Sequence, residues 1–250
     1  MTLTSRTKIV CTIGPKTESP IVIRELLESG MTMARLNGSH NSLDWHVDVI
    51  RRIRKIDQTV PIIFDLPGRK IRTAKTNSDF HFSKGDEITL TTDPTYNVKD
   101  KVLLNYHELH KDLKAGDVVL ADDGTLRFTV INVDGCDIVC RAEIGGTLKP
   151  AKGINVPYVQ MSAPLVSDTD RKSIEMCKTE GVDFVGVSFV DSGEQLVEVY
   201  ECLAGSHTEV IAKVENQFAL DNLESIIENS FGILIDRGDL GAETKVSNIP

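Results

Sequence analysis

The sequence predicts an α/β fold built from parallel βα units of the (β/α)8 TIM-barrel type, incomplete here, with a small all-β domain inserted into it. Three observations carry this. Short apolar runs alternate with helix-spaced segments over the first 65 residues, the rhythm of parallel βα units. From about Thr73 that rhythm gives way to Val-, Ile- and Thr-rich runs separated by turn residues. Near Ser167 the αβ rhythm returns.

The first part reads as strand Lys8–Ile13, helix Pro20–Ser29 ended by Gly30, strand Met31–Leu36, helix His46–Ile56 and strand Pro61–Asp65. In the middle, β runs are predicted at Glu87–Thr91, Val118–Leu120, Leu126–Val133 and Asp137–Ala142. Asp123-Gly124 and Asp134-Gly135 stand between them; Asp-Gly pairs signal hairpins because glycine accepts positive φ. His107–Leu113 reads as a short surface helix. The last part gives helix Asp168–Thr179, capped by Ser167 or Asp168, and strand Val182–Ser188. Helix Glu194–Leu203, strand Val210–Lys213, helix Asn222–Glu228 and strand Gly232–Ile235 follow. The expected domains are 1–71 and 163–250 for the two parts of the barrel and 72–162 for the insertion. The αβ segments total about 160 residues, room for about six βα units, whereas a closed barrel commonly takes about 250. The chain is expected to stop before such a barrel closes.

Composition narrows the function. The chain has 250 residues, 40% hydrophobic and 26% charged, which is ordinary globular composition. Its net charge of −9 gives no support to a nucleic-acid or anionic-membrane partner. No apolar run approaches the ~20 residues of a membrane span, and Ile9–Ile13 is too short for the core of a secretory signal. A cytoplasmic location is expected. Five irregularly spaced cysteines read as reduced, structural thiols. There is no G-x-x-x-x-G-K-[ST] phosphate loop.

Three strand ends carry the charged residues. In Val210-Ile211-Ala212-Lys213-Val214-Glu215-Asn216, the i, i+2 spacing puts Lys213 and Glu215 on one face. The next strand ends Asp236-Arg237-Gly238-Asp239. Two carboxylates at adjacent strand ends, with a lysine between, suit an oxygen-preferring Mg2+ and an anionic substrate. A surface ion pair is the plainer alternative; catalytic groups of αβ barrels sit at these strand ends. Arg35 and Asn37 project together from the second strand, and a guanidinium fork holds phosphate well. After Asp65 come three cations, Arg69, Lys70 and Arg72, which a solvated linker into the insertion would also explain.

With these ends in view, the chain resembles the pyruvate kinase family across essentially its whole length. The resemblance is carried by Thr7–Pro15, Ala34–His40, Asp122-Asp123-Gly124, Lys152–Pro157, Val187–Val190, Ala212–Asn216 and Arg237–Gly241, in that order. It implies a (β/α)8 barrel with a small β domain after the third strand and a C-terminal regulatory domain; strands seven and eight and that last domain are not in this sequence. It also implies transfer of a phosphoryl group from phosphoenolpyruvate to ADP, giving pyruvate and ATP. Glu215 and Asp239 would ligate Mg2+ (or Mn2+), Lys213 would neutralise the phosphoryl oxygens in flight, and Arg35 would grip the phosphate. Backbone N–H groups of Arg237, Gly238 and Asp239 would receive the substrate carboxylate. Pro15 and His40 would lie near the nucleotide, and the insertion would close as a lid. A homo-oligomer is implied as well.

The monovalent-cation site departs from the family pattern. The resemblance places Asn37, Ser39, Asp65 and Leu66 around K+, but Lys70 stands where the family usually has glutamate. A tethered ammonium there implies that K+ is replaced by Lys70. Asp236 stands in place of a small residue, Gly38 in place of Phe, Tyr158 in place of Gly, and the tail after Gly241 also differs. Two other readings stay open: a truncated paralogue or pseudoenzyme that binds phosphoenolpyruvate, nucleotide or a protein without turnover, and an Mg2+-dependent enolate enzyme of the phosphoenolpyruvate/pyruvate barrel type.

Overall fold

A computed structural model describes residues 7–244. The ends 1–6 and 245–250, including most of the divergent tail, lie outside the described residues. Within them the chain falls into two compact units. The first comprises the residues up to Gly68, Val166–Lys213 and Leu223–Leu234; the second comprises Arg69–Leu165, Val214–Asn222 and the residues from Ile235 on.

In chain order, β1 (Val10–Thr12), α1 (Pro20–Glu28), β2 (Met33–Asn37), α2 (Leu43–Ile56) and β3 (Ile62–Asp65) open the fold. The helices start where their caps dictate. Ser19 caps α1, with Pro20 at its first position, where a missing N–H costs nothing. Ser42 accepts from Trp45 N at 3.2 Å, so α2 begins at Leu43 rather than at His46 as the apolar spacing alone suggests.

The chain then runs through β4 (Ile71–Arg72), β5 (Phe80–Phe82), β6 (Glu87–Thr91), β7 (Val102–Leu103), α3 (Leu109–Asp112) and β8 (Val118–Ala121). It continues through β9 (Leu126–Asp134), β10 (Asp137–Ala142), β11 (Gly146–Leu148) and β12 (Gly153–Asn155). Seven of these strands form one sheet in the order β4-β12-β8-β9-β10-β6-β7, and β11 pairs with β5. The Asp-Gly turns do join hairpins, β8 to β9 and β9 to β10. Leu90, Phe128, Ile138 and Cys140 are fully buried in the core of this sheet. Helix α3 is shorter than the predicted His107–Leu113. The His107 ring reaches Thr92 O at 3.0 Å and the His110 ring reaches Thr92 Oγ1 at 2.6 Å, so both histidines fasten a loop.

The αβ rhythm resumes with α4 (Asp168–Glu180), β13 (Phe184–Val187), a 3-10 turn leading into α5 (Leu196–Leu203), and β14 (Glu209–Val214). Then come α6 (Gln217–Asp221), α7 (Leu223–Glu228), β15 (Gly232–Ile235) and α8 (Arg237–Glu243). Ser167, not Asp168, caps α4: it accepts from Asp170 N while Asp170 accepts from Ser167 N, a reciprocal capping box. The helix expected at Asn222–Glu228 is α7, and a separate helix not expected from the sequence, α6, precedes it where the Asn216 side chain accepts from Ala219 N.

The first unit is organised on a sheet of order β1-β2-β3-β13-β14-β15. Pairing is parallel from β1 through β14. The stretch that carries β4–β12 therefore leaves the chain between two neighbouring strands, β3 and β13. This is the α/β fold of an incomplete TIM-type barrel. Inner strand β3 is buried along its whole length, whereas the edge strands β1 and β15 are not. Arg54 fastens α2 to the loop before β13, reaching Asp183 Oδ2 at 2.7 Å, and the same oxygen accepts from Ile62 N.

Candidate active site

In a parallel sheet every strand ends at the same edge, and side chains beyond those ends face a common space. In the first unit this edge gathers Arg35, Asp65, Ser188 and Lys213. Arg35 donates from Nε and Nη2 to Asp65 Oδ2 at 2.9 and 2.5 Å, and from Nη1 to Thr12 Oγ1 at 3.2 Å. Lys213 Nζ lies 3.0 Å from Ser188 Oγ and 3.8 Å from Asp65 Oδ2. The Lys213 and Asp65 side chains are 7% and 3% exposed, so both charges are held out of water. Burying them is costly unless they are paired, and here one carboxylate is shared by two cations.

The backbone makes room for this cluster. A Cβ on Gly186 would lie 2.5 Å from Asp65 Oδ1, so β13 needs glycine where it passes Asp65. That Oδ1 is buried without a hydrogen-bond partner. A Cβ on Gly38 would lie 2.6 Å from Asp65 O and 2.7 Å from the Phe64 ring. The ring fills the space beside Gly38, which accounts for glycine there.

The second unit gathers the carboxylates. One oxygen from each of Glu215, Asp236 and Asp239 lies within 4.8 Å of the others. Glu215 is 1% exposed. Asp236 N donates to Val214 O at 3.2 Å, which brings the two strand ends together. Lys70 Nζ sits on both oxygens of Asp239, at 2.6 and 2.7 Å. Of the neighbouring cations, Arg69 reaches Ala163 O and Arg72 reaches Ala151 O, both at 3.3 Å. Three carboxylate oxygens in a partly buried cluster form the hard, anionic donor set that a divalent cation such as Mg2+ takes, so the residues present fit that ion.

Asp236 also caps α8, accepting from Gly238 N at 3.2 Å and Asp239 N at 3.4 Å. Two of the N–H groups expected to receive a substrate carboxylate thus already hold a carboxylate of the chain itself. Pro15 and His40 are both exposed beyond β1 and β2, and His40 O accepts from His46 Nε2 at 2.8 Å. The Asn37 side chain accepts from Ser39 N at 3.0 Å, and Leu66 N donates to Gly186 O at 2.8 Å.

Sequence reasoning missed Ser188 and the direct Arg35–Asp65 pair. Ser188 follows the last residue of β13, a position that could have flagged it. The pair joins residues far apart in sequence, and no local pattern signals it.

The family described as "Pyruvate kinase, barrel domain" matches residues 4–250. Similar proteins include the pyruvate kinase of Clostridium perfringens, 38% identical over 255 residues, covering 98% of this chain and 54% of that protein. The pyruvate kinase of Mycobacterium tuberculosis is 36% identical, covering 99% of this chain and 54% of its own length. That of Schizosaccharomyces pombe is 35% identical, covering 98% and 50%. The chain spans about half the length of the curated relatives it matches.

Proposed function

The chain belongs to the pyruvate kinase family, and from that premise we propose that it carries the phosphate- and metal-binding residues of an enzyme moving a phosphoryl group from phosphoenolpyruvate to ADP. The bond between phosphorus and the enol oxygen breaks and a bond to a β-phosphate oxygen of ADP forms. The enolate left behind takes a proton to become pyruvate. The observation that carries this reading is the gathering of Glu215, Asp236 and Asp239 oxygens within 4.8 Å, two residues along the chain from a buried lysine.

Arg35 and Lys213 are the phosphoryl-binding groups in this reading. Asp65 holds the Arg35 guanidinium and Ser188 holds the Lys213 ammonium, so both are oriented before substrate arrives and need little reorganisation when charge moves. Glu215 and Asp239 are the residues to hold Mg2+ or Mn2+, which supplies Lewis-acid polarisation of phosphoryl and enolate oxygens. Pro15 and His40 are assigned to the nucleotide. Lys70 supplies a tethered positive charge, and turnover is proposed to be independent of K+. No helix among the described residues is long and apolar enough to cross a membrane, and the proposed setting is the cytoplasm.

One observation favours a second reading, a relative that binds ligand without turnover: Asp236 already occupies the Gly238 and Asp239 N–H groups. An assay separates the two. Full-length protein is given phosphoenolpyruvate, ADP and Mg2+, and pyruvate release is followed in wild type and Lys213→Met. The expected result is turnover in wild type and its loss by about three orders of magnitude in the variant, the scale of a lost electrostatic stabiliser, with Mn2+ binding retained. Unchanged turnover in Lys213→Met overturns the role of the lysine, and an inactive wild type that still binds phosphoenolpyruvate favours the second reading.

A further inference from the structure

Lys70 is seated on the same carboxylate that the metal reading assigns to a divalent cation. Its ammonium is 2.6 and 2.7 Å from the two Asp239 oxygens, and the two side chains are only 21% and 11% exposed. The backbone behind it is fixed. Ile71 and Arg72 pair with Ile154 and Gly153 of β12, and Asn105 bonds both Lys70 O and Arg72 N. The lysine stem runs past Gly153, where a Cβ would lie 3.5 Å from Lys70 Cε. An ammonium covering both oxygens of a ligand must yield at least one of them before a metal can bind there.

We propose that Lys70 is a built-in competitor for the divalent-cation site: it occupies Asp239 in the metal-free protein and is displaced from it when the cation enters. This rests on the metal reading above and adds that the affinity of the site is set by exchange of one cation for another. Deleting the ammonium then tightens metal binding, whereas deleting a ligand weakens it. Both effects are expected to be about tenfold or more, the scale of one close charge interaction at a partly buried site.

The test uses full-length protein and Mn2+ alone, with free Mn2+ followed by its electron paramagnetic resonance signal. Wild type, Lys70→Met, Lys70→Gln and Glu215→Gln are titrated, each first checked for a native circular dichroism spectrum and melting transition. The expected result is tighter binding in both Lys70 variants and weaker binding in Glu215→Gln. Weaker binding in Glu215→Gln with unchanged or weaker binding in the Lys70 variants overturns the competition while leaving the metal reading in place. Unchanged binding in Glu215→Gln overturns the metal reading and the competition with it. Acetylation of wild-type lysines with and without Mn2+, read by mass spectrometry, needs no variant. Lys70 is expected to label several-fold faster with the metal, and an unchanged rate overturns the displacement.

Discussion

The Asp236 carboxylate accepts from the Gly238 and Asp239 N–H groups, where the proposed function has a substrate carboxylate bind. An anionic substrate must then displace a tethered carboxylate and bear its repulsion. Asp236→Ala is predicted to lower the KM for phosphoenolpyruvate by about tenfold, the worth of one charge-assisted hydrogen bond, with a smaller change in kcat. Steady-state kinetics check this, and an unchanged or higher KM counts against the competition. Strand alternation puts Lys213 and Glu215 on one face, whereas Asp239 lies within α8, which alternation does not reach. The pairings were less legible in the sequence. Arg35 meets Asp65, and Lys70 meets Asp239, across distances in sequence that no local pattern spans. The glycine at 186, needed because Asp65 Oδ1 fills the space of a Cβ, reads as nothing until the two strands are side by side.

At the scale of elements, the capping box of α4 does more than start a helix. Asp170 is fully buried; one oxygen accepts from Ser167 N and Oγ and the other from Gly68 N in the loop after β3. Ser167→Ala is predicted to cost about 1 kcal/mol, the usual worth of an N-cap. Asp170→Ala is predicted to cost about 2–3 kcal/mol, because it also strands the Gly68 N–H. Urea denaturation checks the order of the two, and an equal loss would show that the Gly68 bond contributes nothing. Helices with caps and long apolar runs were readable, as were hairpins with Asp-Gly turns. The two- and three-residue strands of the insertion, such as β4, β7 and β12, were not. Each is defined by a partner strand elsewhere in the chain, and too few residues alternate to show a period.

At the scale of the molecule, the sheet ends at β1 and β15, with Val10 49% and Ile235 38% exposed on those strands. The count of six αβ strands and the insertion after the third were legible, since each rests on a change of period over tens of residues. The proposed phosphoryl transfer is the larger claim. The measurement that tests it most directly is pyruvate formation from phosphoenolpyruvate and ADP by full-length protein with Mg2+, first with Na+ as the sole monovalent cation and then with K+. The account predicts turnover in Na+ that vanishes when Mg2+ is chelated and is essentially unchanged by K+. A strong rise on adding K+ contradicts the role given to Lys70. No pyruvate with either cation contradicts the phosphoryl-transfer reading itself.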